Sequence, residues 1–301
     1  MPRLPAGRKK PAAPSRPRAE LTVCADDYGL APGIGQAIRD LAARGRVTAV
    51  SCCTLGPRWP SEGRLIRELA AEADIGLHLT LTDHQPLGPM PGLAPQGRLP
   101  SLTKLMALAY SGRLDTHEIS DEIERQTDRF EASFGAPPIF LDGHHHVHQL
   151  PVIREAVLSI FVRRLIRPGA WLRYLAEPWS RIRRHAASIG RAWLLSLLGR
   201  VLARWGRVLN ISGNEGFRGV RSFRERSPYH LLFKRFLTAP FPRTLIMCHP
   251  GLVDEDLIKL DWVTRTREEE YAFLAGAEYP GLLAESGWSL VRMSTLPSPL
   301  P

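Results

Sequence analysis

Between Asp74 and Leu81 the side chains alternate in character. Ile75, Leu77, Leu79 and Leu81 share one face, and Gly76, His78 and Thr80 share the other. A period of two is the mark of a β-strand. Short apolar runs at residues 21–25, 47–55, 171–174, 243–249 and 288–292 predict further strands. Between them, apolar residues recur three and four apart, the spacing of an amphipathic helix. Helices are expected over 33–44, 62–73, 102–111, 116–134, 151–166, 222–237, 264–277 and 280–286, and over most of 179–205. Strands that alternate with helices imply parallel βα units. About seven such units favour an α/β fold of the (β/α) TIM-like barrel type, distorted or incompletely closed. A flat, doubly wound sheet is the second choice. No glycine-rich phosphate cradle follows the first strand, so nucleotide and dinucleotide binding are not supported.

Residues 1–19 are rich in Pro, Ala, Lys and Arg and lack any apolar period. They read as a disordered basic tail, leaving 20–301 as a single barrel domain. A secretory signal would need an apolar central stretch, and none occurs. No run of about 20 apolar residues predicts a transmembrane helix. The four cysteines, Cys24, Cys52, Cys53 and Cys248, form no C-x-x-C pair and lie in apolar runs. They read as buried free thiols, which suits a reducing cytoplasm. The formal net charge of +10 is unevenly placed. Residues 1–19 and 163–207 carry it, and the remaining body is mildly acidic. A nucleic-acid binder would show a broad basic face, so no nucleic-acid partner is expected. The oligomeric state is left open.

Four predicted strand ends carry chemistry. The first offers Asp26 and Asp27, the third His78, the fourth the run Asp142-Gly143-His144-His145-His146-Val147-His148, and a late one His249. If the histidine run is extended, His144, His146 and His148 point one way and His145 the other. Each group alone has an ordinary explanation, such as an Asp turn or a hydrogen-bonded core histidine. Their shared location at the working end of a parallel barrel changes that reading. One carboxylate and two imidazoles can hold a divalent metal with positions open for water and substrate. A second carboxylate can take a proton from the water, and another histidine can protonate the leaving group. Asp26, Asp27, His78, His144 and His249 therefore suffice for metal-assisted hydrolysis of an amide or ester.

The motifs Ala25-Asp26-Asp27-Tyr28-Gly29, Gly76-Leu77-His78-Leu79, Asp142 to His148 and Cys248-His249-Pro250-Gly251 resemble those of the YdjC-like carbohydrate deacetylases of the ChbG/HpnK type. The likeness spans residues 20–293 in order. It implies a (β/α) barrel that removes N-acetyl groups from an amino sugar, on an oligosaccharide or a lipid-linked glycan. It implies Asp27, His78 and His144 as metal ligands, Asp26 as base and His249 as acid. His146 and His148 would lie near the substrate, and Arg173 and Phe217 are taken as further substrate-binding candidates. Magnesium is the ion the resemblance suggests, while zinc suits the mixed N/O donor set.

Two other functions compete. A metal phosphoesterase would often need two metals, whereas one convincing Asp/His/His set is visible. A non-catalytic Arg-rich binding protein would need neither Asp26 nor His249. The stretch 179–207 is unusually basic. At about 100° per residue, Leu194, Leu195, Leu198, Val201, Leu202 and Trp205 share an arc, with Arg200, Arg204 and Arg207 opposite. Packing of that arc against the barrel is the first expectation, and peripheral contact with a membrane surface the second.

Overall fold

The computed structural model describes residues 19–223 and 227–298. The first half of the chain supplies β1 (Ala19–Tyr28), α1 (Pro32–Ala43), β2 (Ala49–Cys52), α2 (Trp59–Arg67) and β3 (Asp74–Leu79). After a long loop come α3 (Leu102–Tyr110), α4 (Thr116–Phe134), β4 (Phe140–Gly143), α5 (Ile153–Ile160) and β5 (Trp171–Leu172). Then follow α6 (Trp179–His185), α7 (Ile189–Val208), β6 (Gly216–Arg218), α8 (Tyr229–Phe236) and β7 (Thr244–Cys248). The last elements are α9 (Glu255–Leu260), α10 (Arg265–Ala275), α11 (Glu278–Glu285) and β8 (Trp288–Leu290).

All the paired strands run parallel, in the order β5-β4-β3-β2-β1-β7-β6, with β8 on the N-terminal part of β1. The two edges of the sheet meet through an isolated bridge from Leu172 of β5 to Gly213, which precedes β6. Asn214 reinforces that seam, because its amide accepts from the Tyr174 N–H and donates to the Tyr174 carbonyl. The sheet is thus a curled, barely closed barrel, as the alternation of elements predicts.

Inside the barrel, alternate residues of neighbouring strands form layers. Cys24, Ala49, Phe140, Trp171, Phe217, Leu245 and Met247 pack together as one apolar cluster. The Phe140 and Trp171 rings stack at 4.0 Å. Two residues further along the strands stand Asp26, Ser51, Asp142 and Arg173, with His78 two beyond Gly76. The outward-facing alternates, such as Val23, Val50, Leu77 and Ile246, join the larger core beneath the helices.

Helix α4 follows its prediction closely because both ends are marked. The Asp115 side chain accepts from the His117 and Glu118 N–H groups, and Gly135 ends the helix at φ 87°. Two short elements are unanticipated, and two expectations fail. The short β6 and α9 carry too few residues to show a period. The 222–237 helix begins, among the described residues, only at Tyr229. The histidine run is not a strand: β4 stops at Gly143 and a 3-10 turn takes over from His144 to Gln149. The predicted tail lies outside the described residues, save for Ala19, which opens β1.

Helix α7 turns a different face inward from the one the sequence predicts, although Arg200, Arg204 and Arg207 stay exposed. Its buried positions are Ala192, Ser196, Gly199, Leu202, Ala203 and Gly206. Of the expected inward arc only Leu202 is buried, while Leu194, Val201 and Trp205 are exposed. The cause is close approach. A Cβ on Gly206 would lie 2.1 Å from the Tyr174 Oη, and one on Gly199 would lie 2.8 Å from the Gln149 Oε1. Large residues cannot occupy that contact, so they face outward.

Candidate active site

The C-terminal ends of β1, β3, β4, β6 and β7 surround a cavity of about 470 Å³. Asp26, Asp27, His78, His144, His145, His146 and His249 line it. A second cavity of about 580 Å³ lies beside α6 and α7, but no aspartate or histidine reaches it. Its greater size therefore carries less weight than the chemistry of the first.

Adjacent residues on a regular strand face opposite ways, yet Asp26 and Asp27 both reach the cavity. The pairing of β1 with β2 slips between Ala25 and Tyr28, and Asp27 sits at φ 71°. The bulge and the left-handed residue turn the second carboxylate back to the side of the first. Asp tolerates this conformation better than most side chains.

Two imidazoles converge on Asp27. His144 Nδ1 lies 2.9 Å and His78 Nε2 3.4 Å from the Asp27 Oδ1. Arg267, on α10, donates to the Asp27 Oδ2 at 2.7 Å. Burial opposes ionisation of Asp27, but Arg267 and His144 outweigh it and hold the carboxyl well below its usual range. On the other side of its ring, His78 Nδ1 contacts Asp142 at 2.6 Å and the Ser51 hydroxyl at 2.8 Å. His78 and Asp142 are register partners on β3 and β4. Burial disfavours a charged His78, yet Asp142 and Asp27 overcome it and raise the ring to about 10. The surroundings therefore strongly favour positive charge at this point.

Asp27, His78, His144 and Cys53 can present one donor atom each within 4.8 Å of one another. Burial pushes the Cys53 thiol up, which keeps it protonated and a poor ligand. The other three match the donors a single divalent ion takes, and the Asp142 contact resembles the carboxylate that typically orients a ligand histidine. A second group, Cys24, Asp26 and Asp142, is also close enough. There the guanidinium of Arg173 already fills the space. It donates to Asp26 at 2.6 and 2.7 Å and to Cys24 at 3.0 Å, and pairs with Asp142 at 2.6 Å.

The remaining sequence candidates separate. His249 lines the cavity, with the Phe223 ring edge-on at 5.2 Å. Burial pushes it down to about 4, although Asp27 and Asp26 oppose the shift. Its backbone N–H donates to Glu270 at 2.5 Å. His146 also lines the cavity. Arg173, His148 and Phe217, taken from the sequence as substrate contacts, do not. Arg173 is buried beneath Asp26, and the His148 Nε2 contacts the Arg173 carbonyl at 3.1 Å. Phe217 packs edge-on against His146 at 5.6 Å. The expected alternation along the histidine run is lost because His145 and His146 are both left-handed, at φ 53° and 60°. Gly143 permits the turn: a Cβ there would sit 3.0 Å from the backbone N of His148.

The sequence assigns no role to Ser51, Arg267, Glu270 or Arg221, and Asp142 enters there only as part of the histidine motif. For Ser51 and Asp142 the signal exists, since each stands two residues beyond an apolar barrel-lining residue. For Arg267 and Glu270 there is none. They are buried on α10 among Arg265, Glu268 and Glu269, and nothing local distinguishes them. Arg221 donates to Glu270 at 3.2 Å.

Fold and site together define a parallel α/β barrel with one Asp/His/His centre at its C-terminal mouth. The chain belongs to the YdjC-like protein family, whose model matches residues 20–285. A chitooligosaccharide deacetylase of Citrobacter koseri is 30% identical over 274 residues, covering 90% of this chain and 96% of that one. One from Yersinia pestis is 31% identical over 272 residues, covering 90% and 96%. One from Enterobacter is 35% identical over a shorter 144 residues, 48% of this chain and 56% of that one. A solved structure from Enterococcus faecalis, of a protein named for cellobiose-phosphate cleavage, superposes with a TM-score of 0.70 at 20% identity. That match covers 92% of this chain and 98% of the other, and it shows the shared fold.

Proposed function

We propose that this protein is a metal-dependent hydrolase that removes the acetyl group from an N-acetylated amino sugar in a carbohydrate. The observation that carries the reading is the meeting of both β1 carboxylates with His78, His144 and His249 in one cavity. The chitooligosaccharide deacetylases among its relatives support the substrate class.

Asp27, His78 and His144 would hold one divalent ion, magnesium or zinc. When bound, such an ion lowers the pKa of a water and polarises the amide carbonyl. Asp26 is the base that takes the proton of the attacking water. Arg173 fixes both of its oxygens, so the carboxylate meets that water in one orientation. His249 is the proton donor to the departing amine. Its burial makes the resting ring neutral, so the proton it passes to the amine is the one Asp26 takes from the attacking water. The Glu270 contact fixes the His249 backbone, and hence where the ring stands. His146 borders the space left for the sugar.

Arg173 also argues against a two-metal phosphoesterase, because it occupies the second cluster of carboxylates. The test is to measure bound metal and acetate release from N-acetylglucosamine oligomers in the same preparations. Metal-loaded protein that releases no acetate from any such oligomer would reject the reading.

A further inference from the structure

Helix α7 presents the side of an amphipathic helix that globular proteins usually hide. Leu194, Leu197, Val201, Trp205 and Val208 are 53%, 43%, 39%, 51% and 63% exposed. Their spacing of three and four residues sets them in one stripe along the helix. A contiguous exposed apolar surface of this kind marks an interaction site. The tryptophan pair Trp179 and Trp193, edge-on at 5.3 Å, extends the apolar surface toward α6. At about 100° per residue, Arg200, Arg204 and Arg207 flank the stripe on one side and Arg191 flanks it on the other.

We propose that this face of α7 docks on an anionic lipid bilayer, with the apolar stripe in the interface and the flanking arginines on lipid phosphates. Charge selects this occupant. Helix α7 contains four arginines and no acidic residue. Among the described residues, Arg191, Arg200, Arg204 and Arg207 form no ion pair. A two-fold dimer through this face would place those arginines against their copies. Residues 1–18 carry only basic charges, so they too match the sign of the face and do not complement it. An anionic bilayer offers both parts of the complement, since Trp and Leu partition into the interface while Arg meets the headgroups. No helix among the described residues is long and apolar enough to cross a membrane, so contact is along the surface. The same helix places Arg191, Leu194 and Leu195 on the wall of the catalytic cavity. Docking therefore brings the mouth of that cavity to the membrane plane.

The experiment is co-sedimentation of the full chain with vesicles of phosphatidylcholine alone and of phosphatidylcholine with phosphatidylglycerol. Binding is expected only with the anionic lipid, and it should weaken as salt rises. Each neutralised arginine should weaken partitioning by roughly fivefold. The triple variant Arg200→Gln, Arg204→Gln, Arg207→Gln should therefore bind on the order of 10²-fold less. A second variant, Leu197→Ser, Val201→Ser, Trp205→Ser, should also lose binding, and melting by circular dichroism checks that both fold. Neither set lines the catalytic cavity, so both variants should hydrolyse a soluble acetylated oligosaccharide as the wild type does. Hydrolysis and binding are read separately, so a failure of the deacetylase reading would leave the vesicle result intact. No sedimentation with anionic vesicles at low salt would overturn the proposal. So would variants that bind like the wild type, or a dimer that the serine variant dissociates while lipid has no effect.

Discussion

Arg173 grips both carboxylate oxygens of Asp26, at 2.6 and 2.7 Å, from a position with no exposed surface. A buried guanidinium that is paired twice is hard to replace, because lysine offers a point charge and no fork. Arg173→Lys should retain the fold yet lower kcat by roughly 10- to 100-fold, the scale seen when a contact that orients a reactive group is removed. Arg173→Ala leaves Asp26 and Asp142 buried with no guanidinium between them. It should lower stability by about 3–5 kcal/mol, read by urea unfolding. A lysine variant with wild-type kcat would show that the grip does not orient the base.

The metal assignment predicts a pattern across three side chains and their support. Asp27→Ala, His78→Ala and His144→Ala should each abolish stoichiometric binding of a divalent ion, measured by elemental analysis after dialysis. A chelator should lower the Tm of the wild type and leave His144→Ala unchanged, because an ion that binds only the folded state stabilises it. Asp142→Asn should weaken metal affinity by roughly 10- to 100-fold through the orientation of His78. Full occupancy in His144→Ala would sink the ligand set.

Asp26 and His249 should behave differently from the ligands. Asp26→Asn should keep its metal and lose roughly 10²-fold or more in kcat, as expected for a general base. His249→Ala should also keep the metal and lose turnover. Its loss should be smaller for a substrate whose leaving group needs no proton. Unchanged turnover in either variant would remove that residue from the mechanism.

Glu270 gives a pH signature in stability. Burial raises its carboxyl to about 7, although Arg221 and the His249 N–H pull the other way. The folded state therefore holds a proton that the unfolded state releases near pH 4.5. The stability this proton contributes is complete below about pH 4.5 and is lost as pH rises through about 7. Glu270→Gln has no such proton. Its stability relative to the wild type should thus increase between pH 5 and 8, by on the order of 3 kcal/mol. Parallel stability curves for the two proteins would contradict the burial argument.

How far the sequence reveals this site depends on the range over which each residue is specified. His78 is legible because the alternation around it runs for eight residues, and β3 keeps that period. Both aspartates are legible, but the bulge that turns Asp27 is not, since no glycine or proline marks it. The histidine run misleads because extended and turned backbones suit it equally well. The choice between them is made by the fit of Gly143 against His148. For α7 a helical wheel ranks faces by hydrophobicity. The barrel selected instead for small size, so the wheel pointed the wrong way. Arg267 and Glu270 reach the centre from a helix that reads as solvent-exposed, and only tertiary packing singles them out.

The Arg267 to Asp27 bond joins residues 240 apart in the chain, and β8 completes the edge of the strand that carries Asp27. On a ribosome adding about 5–20 residues each second, β1 would wait on the order of ten to fifty seconds for these partners. Throughout that interval the aspartates are present without the arginine that balances one of them. A polypeptide halted before α10 would already contain Asp27, His78 and His144, yet its buried Asp27 would lack the guanidinium that balances it.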